Sequence, residues 1–283
     1  MPSQVIETQT EWTTFDGTRM HAVYWSAAVK SPYVICLVHG LGEHSGRYSA
    51  LANYFVSRGI DVHAFDLRGH GLSGGRRGYS DRFNDLVKDV DHFLHHVSGI
   101  NMQQPYGVYG HSLGGTIALT YAQNYPATNR AVVLSAPFFR PAFEPPNWKL
   151  TLAGYLQTIW PGLLLSNEVA ISALSKDPQV LKDYIADPLV HDRLSVGLGL
   201  QLLQQGRDLL DSAVQVDFPL LVMHGDADSV ACHKSSSLLA TQAGEACELI
   251  IWPALFHELH HEAEKDVVFN RAVDWLKSAL KSL

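Results

Sequence analysis

The sequence predicts an α/β protein, a mostly parallel central sheet with helices on both faces. Three observations carry this prediction. Short β-rich runs alternate with helical patterns along most of the 283 residues, as expected where strands are joined by crossover helices. The strand-like runs are mostly apolar, as strands buried on both faces are. Finally, Gly110-His111-Ser112-Leu113-Gly114 stands between one such run and the start of a helical pattern.

Taken in order, residues 11–15 and 20–25 flank Asp16-Gly17 and read as an antiparallel hairpin, because Asp-Gly readily takes the positive φ of a tight turn. It is expected at the sheet edge. Runs 33–38, 61–65, 106–109, 131–134, 220–223 and 248–251 follow as buried strands. Residues 82–97 set Phe83, Leu86, Val90, Phe93 and Val97 three and four apart, an apolar stripe that faces a sheet. Patterns at 48–57, 112–123, 235–242 and 265–280 are read as helices in the same way. From residue 138 the alternation breaks: Pro141, Pro145 and Pro146 open a helix-leaning stretch with no convincing strand. The organisation predicted is an α/β core, 1–137 and 217–283, interrupted by a helical cap, 138–216. Within the cap, Leu150, Leu152, Tyr155, Leu156, Ile159, Trp160 and Leu163 to Leu165 are more apolar than a small insertion needs. Packing on the core is the plainer explanation, and a ligand-facing or membrane-touching surface is the alternative.

Composition removes several function classes. Lys and Arg number 21 against 28 Asp and Glu, a formal charge of −7, whereas nucleic-acid affinity rests on clustered cations. Nucleic acid is therefore not expected as a partner. Cys36, Cys232 and Cys247 are too few and scattered for a disulfide framework or a four-cysteine zinc site, which fits a reducing compartment. The polar start, with Glu7 and Glu11, lacks the cationic and apolar regions of a signal peptide. Residues 150–165 are shorter than the ~20 needed to span a bilayer. The expected location is the cytoplasm.

In its strand-to-helix context, the Gly110 to Gly114 string is a nucleophile elbow. A serine there sits on a sharp turn that only small neighbours tolerate, its hydroxyl at a helix N-terminus that favours developing negative charge. Ser112 is thus the expected nucleophile. It needs a base and an orienting carboxylate, in the chain order Ser, acid, His. His224-Gly225-Asp226-Ala227-Asp228 follows one predicted strand, and Trp252 to His257 follows the next. Both loops leave the sheet at the strand C-termini, where ligands of such sheets gather. Asp228 and His257 are chosen, with Asp226 as the rival acid. The oxyanion of ester hydrolysis needs two backbone N–H donors, and Leu113 supplies one.

These segments, together with HGLGEHSGRY (residues 39–48), FDLRGHGLSGG (65–75) and DYIADPL (183–189), resemble the monoacylglycerol lipase and lysophospholipase branch of the α/β-hydrolase family. The resemblance implies Asp228 as the acid, three residues after the glycine of its loop, and Leu41 as the second oxyanion donor. It implies that Glu43, Arg47, His111 and Tyr184 surround a glycerol head group. It further implies a serine hydrolase that cleaves monoacylglycerols through an acyl-enzyme and needs no metal or cofactor. Its partner would be a lipid ester, with peripheral membrane contact through the cap. Structurally, Glu43 and Arg47 equally suit an i,i+4 ion pair. A general carboxylesterase or lysophospholipase would share the triad, and a catalytically silent binding protein would keep the pocket alone.

Two strings are treated as decoys. His257-Glu258-Leu259-His260-His261 matches HExxH, in which two histidines one helical turn apart bind zinc. The metzincin continuation would want glycine at 264 and histidine at 267, where Glu264 and Val267 stand. Gly69 to Gly74 matches GxGxxG, but Gly75 to Gly78 continue as a loop where a dinucleotide fold opens a helix.

Overall fold

The computed structural model describes residues 4–29, 31–211 and 216–283. The first three residues of the polar start and residues 212–215, near the end of the predicted cap, lie outside the described residues. Strands β1 (Val5–Thr13) and β2 (Arg19–Ala27) form the expected hairpin, and its Gly17 takes φ +86°. Both strands run longer than the sequence indicates. Most of β1 is exposed, so backbone pairing, rather than an apolar period, defines its length.

The chain continues through β3 (Tyr33–Val38), α1 (Ser49–Ser57), β4 (Ile60–Phe65) and α2 (Phe83–His92), which runs on into a π-helical turn, Phe93–Val97. Next come β5 (Tyr106–His111), α3 (Leu113–Asn124) and β6 (Arg130–Ser135). The interrupting segment holds α4 (Asn147–Ile159), β7 (Leu164–Ser166), α5 (Pro178–Ala186), β8 (Arg193–Ser195) and α6 (Val196–Asp211). The chain ends with β9 (Leu220–Gly225), α7 (His233–Ala243), β10 (Cys247–Trp252) and α8 (Lys265–Ser282).

One sheet has the order β1-β2-β4-β3-β5-β6-β9-β10. Its hairpin edge is antiparallel and every pairing from β4 to β10 is parallel. One face packs Phe93, Ile117, Val222 and Leu239, the other Phe55, Phe269, Val273 and Leu276. This is the predicted α/β arrangement. Because β4 and β5 lie on opposite sides of β3, the strand order reverses there and leaves a crevice at the C-terminal ends of β3 and β5.

The interrupting segment has two characters. Leu198, Leu202, Leu209 and Leu210 of α6 join the same hydrophobic cluster as the core helices, while α4 and α5 bury no residue at all. Plain core packing therefore does not account for residues 150–165: Leu152, Tyr155, Ile159, Trp160 and Leu165 are exposed, Ile159 at 81%. A strand pair, absent from the sequence reading, also appears, with β7 and β8 pairing antiparallel from Leu164↔Ser195 to Ser166↔Arg193. Three-residue strands are too short to imprint a hydrophobic period.

α6 is held close to the exit of β6. Gly206 lies against the backbone of Phe139, and a Cβ there would overlap the Phe139 carbonyl oxygen. Gly206→Ala is expected to lower stability by about 1–3 kcal/mol through overpacking, although alanine is the better helix former by ~1 kcal/mol. Thermal unfolding measures it, and a variant melting at or above wild type contradicts the close approach.

Candidate active site

The crevice is built around Ser112, which joins β5 to α3 with φ 53° and ψ −118°. A non-glycine residue in this region is strained by on the order of 1–3 kcal/mol and needs support from its surroundings. That support is visible: the Ser112 N–H donates to the Ser135 carbonyl at 3.1 Å, and the Ser112 carbonyl accepts from the N–H groups of Gly115 and Phe138. Gly114 brings the first turn of α3 onto the end of β3, since any Cβ would strike the Val38 and His39 carbonyls. Residues 39–42 and Ser112 thereby share one wall.

His257, after β10, sets Nε2 3.0 Å from Ser112 Oγ and Nδ1 2.7 Å from Asp228 Oδ2. Asp228 follows β9, which pairs in parallel with β10, so both loops leave the sheet on the side where Ser112 stands. An ionised carboxylate can only accept. The proton therefore sits on His257 Nδ1, and Nε2 accepts from the serine hydroxyl. Burial pulls the His257 imidazolium down, but Asp228, with Glu258 and Glu43, outweighs it and raises its pKa above the ordinary 6.5. Burial alone would raise the Asp228 carboxyl, yet His257 and His224 hold it well below the usual carboxylate range. Asp226 is engaged elsewhere: it is exposed, and its Oδ1 accepts from the Ala254 N–H at 2.6 Å.

Leu41 and Leu113 line a cavity of about 110 Å³ together with Gly40, Ser112 and His257. Leu113 is the first residue of α3, so its N–H has no partner within the helix. The Leu41 turn is braced on both sides. His39 donates Nδ1–H to the Gly40 carbonyl at 2.8 Å and accepts from the Leu67 N–H at 2.9 Å, while the Gly40 N–H donates to Glu43 Oε1 at 2.6 Å.

Glu43, Arg47, His111 and Tyr184 all line this cavity. The i,i+4 pair also forms, with Arg47 Nη1 2.7 Å from Glu43 Oε2. Glu43 Oε1 accepts from both Gly40 N–H and Tyr48 Oη–H, so this carboxylate is largely committed to holding the turn. The Arg47 guanidinium lies 4.7 Å from the Tyr184 ring centroid. Burial lowers the His111 pKa to about 4, with His257 adding to the effect. A neutral His111 that donates Nδ1–H to the Ser135 carbonyl at 3.0 Å keeps Nε2 as an acceptor.

Sequence reasoning missed Glu258 as a site residue. It lines the cavity and binds Arg47 through both oxygens, at 2.8 and 2.7 Å. Its only signal was its place inside the HExxH string. That string does not build a zincin site, because His257 is bonded to Asp228 and Ser112. Glu258, His260 and His261 do approach one another within 4.8 Å, but a cation there would have to displace the Arg47 guanidinium. In the Gly69 to Gly74 loop the Asp66 carboxylate fills the cradle, accepting from Leu72 N–H at 2.7 Å where a pyrophosphate would need donors. A wider groove, about 670 Å³, lies at the opposite ends of β9 and β10 beside Pro219, Glu248 and Trp275, and among the described residues no histidine lines it.

Residues 30–264 match the profile of the family described as serine aminopeptidase, S33. The chain is 34% identical over 266 residues to the monoacylglycerol lipase of Mycolicibacterium smegmatis, covering 93% of this chain and 95% of that one. It is 33% identical over 275 residues to an uncharacterized abhydrolase domain-containing protein of Dictyostelium discoideum, covering 95% of this chain but spanning only 29% of that longer protein. The crystal structure of Paleococcus ferrophilus monoacylglycerol lipase superposes with a TM-score of 0.80 at 30% identity, covering 98% of this chain and 99% of that one. On fold, family profile and full-length similarity, the chain belongs to the serine aminopeptidase S33 family of α/β-hydrolases.

Proposed function

We propose that this ester hydrolase cleaves monoacylglycerols to glycerol and a free fatty acid. The observation that carries the chemistry is the hydrogen-bonded chain Ser112–His257–Asp228 opening into the cavity. The names of its relatives favour the lipid substrate. In this reading His257 Nε2 takes the Ser112 proton as Oγ attacks the ester carbonyl carbon. The resulting oxyanion is held by the N–H groups of Leu41 and Leu113. Collapse breaks the acyl carbon–oxygen bond, and His257 returns the proton to the leaving glycerol oxygen. Water, deprotonated by His257, then attacks the acyl carbon; the bond to Ser112 Oγ breaks, His257 returns the proton to Oγ, and the acid is released.

The polar wall suits a diol: His111 Nε2 offers an acceptor, and Arg47 and Tyr184 offer donors. A site built to satisfy hydroxyls rejects analogues that lack them, because its buried polar groups are left unpaired. The acyl chain would lie against Leu41, Phe138, Val169, Leu174, Leu194 and Leu202. The residues between 138 and 216 are proposed as the cap, with the exposed Trp148, Leu152, Tyr155 and Ile159 of α4 touching the lipid surface that presents the substrate. Among the described residues no helix is long and apolar enough to cross a membrane.

The deciding experiment compares turnover of a monoacylglycerol, a lysophospholipid, a p-nitrophenyl ester and an aminoacyl amide. Monoacylglycerol should have the highest kcat/KM, and preference for the lysophospholipid, simple ester or amide would replace the reading. Ser112→Ala should lose at least ~10³-fold in turnover together with all fluorophosphonate labelling. Persistent labelling would remove Ser112 from the reaction.

Only neutral His257 can accept the serine proton, so activity is lost as pH falls through its pKa. Since that pKa lies above 6.5, the acid limb of kcat/KM for a soluble ester should have its midpoint above 6.5. A midpoint below this would show that Asp228 does not raise His257. For the surface contact, Leu152→Asp with Ile159→Asp should weaken liposome sedimentation and micellar turnover while leaving hydrolysis of a soluble ester intact. Unchanged binding would discard the α4 surface as the contact.

A further inference from the structure

His224 plays no part in the proposed reaction, yet it is bonded to the same oxygen as His257. It lies in β9, fully buried, with Nε2 2.9 Å from Asp228 Oδ2. Its other nitrogen, Nδ1, is 2.8 Å from Ser236 Oγ on α7. The carboxylate has no proton to give, so His224 Nε2 carries the hydrogen. Burial keeps the His224 imidazole below its ordinary pKa. A neutral ring then leaves Nδ1 as an acceptor for the Ser236 hydroxyl. With Val230 and Ala231 N–H groups on Oδ1, Asp228 accepts four hydrogen bonds, about one for each lone-pair site.

We propose that His224, held in a single tautomer by Ser236, is a positioning residue that shares Asp228 Oδ2 with His257 and so limits how strongly the carboxylate makes His257 basic. The inference rests on the reading of Ser112, His257 and Asp228 as nucleophile, base and acid. A neutral donor on Oδ2 spreads the carboxylate charge over two histidines, and removing it leaves His257 facing a less solvated anion. The groups facing His224 are Asp228, His257 and, at 6.4 Å between ring centroids, His233. Those facing His257 are Asp228, Glu258, Glu43 and His111, whose ring is 4.9 Å away. His224 does not line the cavity, so its replacement changes the donors on Asp228 without altering substrate contacts.

The test is the pH dependence of kcat/KM for a soluble p-nitrophenyl ester, measured on the full chain for His224→Phe, His224→Gln and Ser236→Ala, with thermal unfolding alongside. In His224→Phe the acid-limb midpoint should rise by about half to one pH unit, because a lost hydrogen bond to the carboxylate shifts its partner. Removal of such an orienting partner should also lower kcat by roughly 10–100-fold with KM little changed. His224→Gln keeps an N–H donor and should restore the midpoint. Ser236→Ala, which frees the tautomer, should raise it by less. A role confined to packing would lower stability and rate in His224→Phe and leave the midpoint in place, which overturns the proposal. Should His224→Phe not fold, an unmoved midpoint in Ser236→Ala overturns it equally. Hydrolysis surviving in Ser112→Ala would instead remove the triad reading beneath it.

Discussion

The strained conformation at Ser112 is the constraint on which the site is built. A positive φ on a residue with a side chain persists only where the surroundings over-determine it. Here the surroundings are the sheet itself: β6 supplies the Ser135 carbonyl, and the segment leaving β6 supplies the Phe138 N–H. The turn places the hydroxyl at the end of β5 and leaves the Leu113 N–H, at the start of α3, without a partner in the helix. Two close backbone approaches, at Gly114 and Gly206, bring β3 and α6 against this junction. The walls of the cavity are therefore fixed by main-chain packing.

The charges around that hydroxyl are arranged to be affordable in a dry crevice. Asp228, Glu43 and Glu258 are all buried, and an unpaired buried carboxylate costs several kcal/mol. Each is satisfied differently. Asp228 gathers two backbone N–H groups and the imidazoles of His224 and His257, whereas Glu43 and Glu258 share the Arg47 guanidinium. Burial pushes the carboxyl pKa of these two glutamates up, and Arg47, together with His111 at Glu43 and His261 at Glu258, more than reverses it. Arg47 thus ties the turn after β3 to the loop that carries His257, and its guanidinium plane rests on Tyr184 from the interrupting segment. One side chain joins three parts of the chain whose relative position sets the cavity.

The interrupting segment divides along the same physical line. α6 presents an apolar stripe that the core needs, and it is buried like any crossover helix. α4 presents Trp148, Leu152, Tyr155 and Ile159 as exposed side chains, left uncovered by the described residues. Large exposed apolar patches mark interaction surfaces, and this one is the basis of the surface contact proposed above. The loop of His257 is also tied to this segment, through Glu258 N–H to the Leu174 carbonyl and Ser175 Oγ–H to the His261 carbonyl.

What the sequence by itself determined is what is written in short-range pattern. Apolar runs and three-four spacings mark the buried strands and covering helices, because burial on a sheet imposes those periods. Glycines around Ser112 mark the elbow, because only small residues allow that turn. The strings holding Asp228 and His257 announce themselves because each follows directly on a buried strand. Tertiary structure alone decided the rest. Most of β1 is exposed, so its length, though not its hairpin pairing, escapes the sequence pattern, and β7 and β8 are too short to carry a period, so their pairing is not legible. Glu258 and Arg47 stand 211 residues apart, and nothing local to either names the other. Likewise, Asp228 was legible as an acid, but its sharing between His224 and His257 follows only once β9 and β10 lie side by side in parallel register.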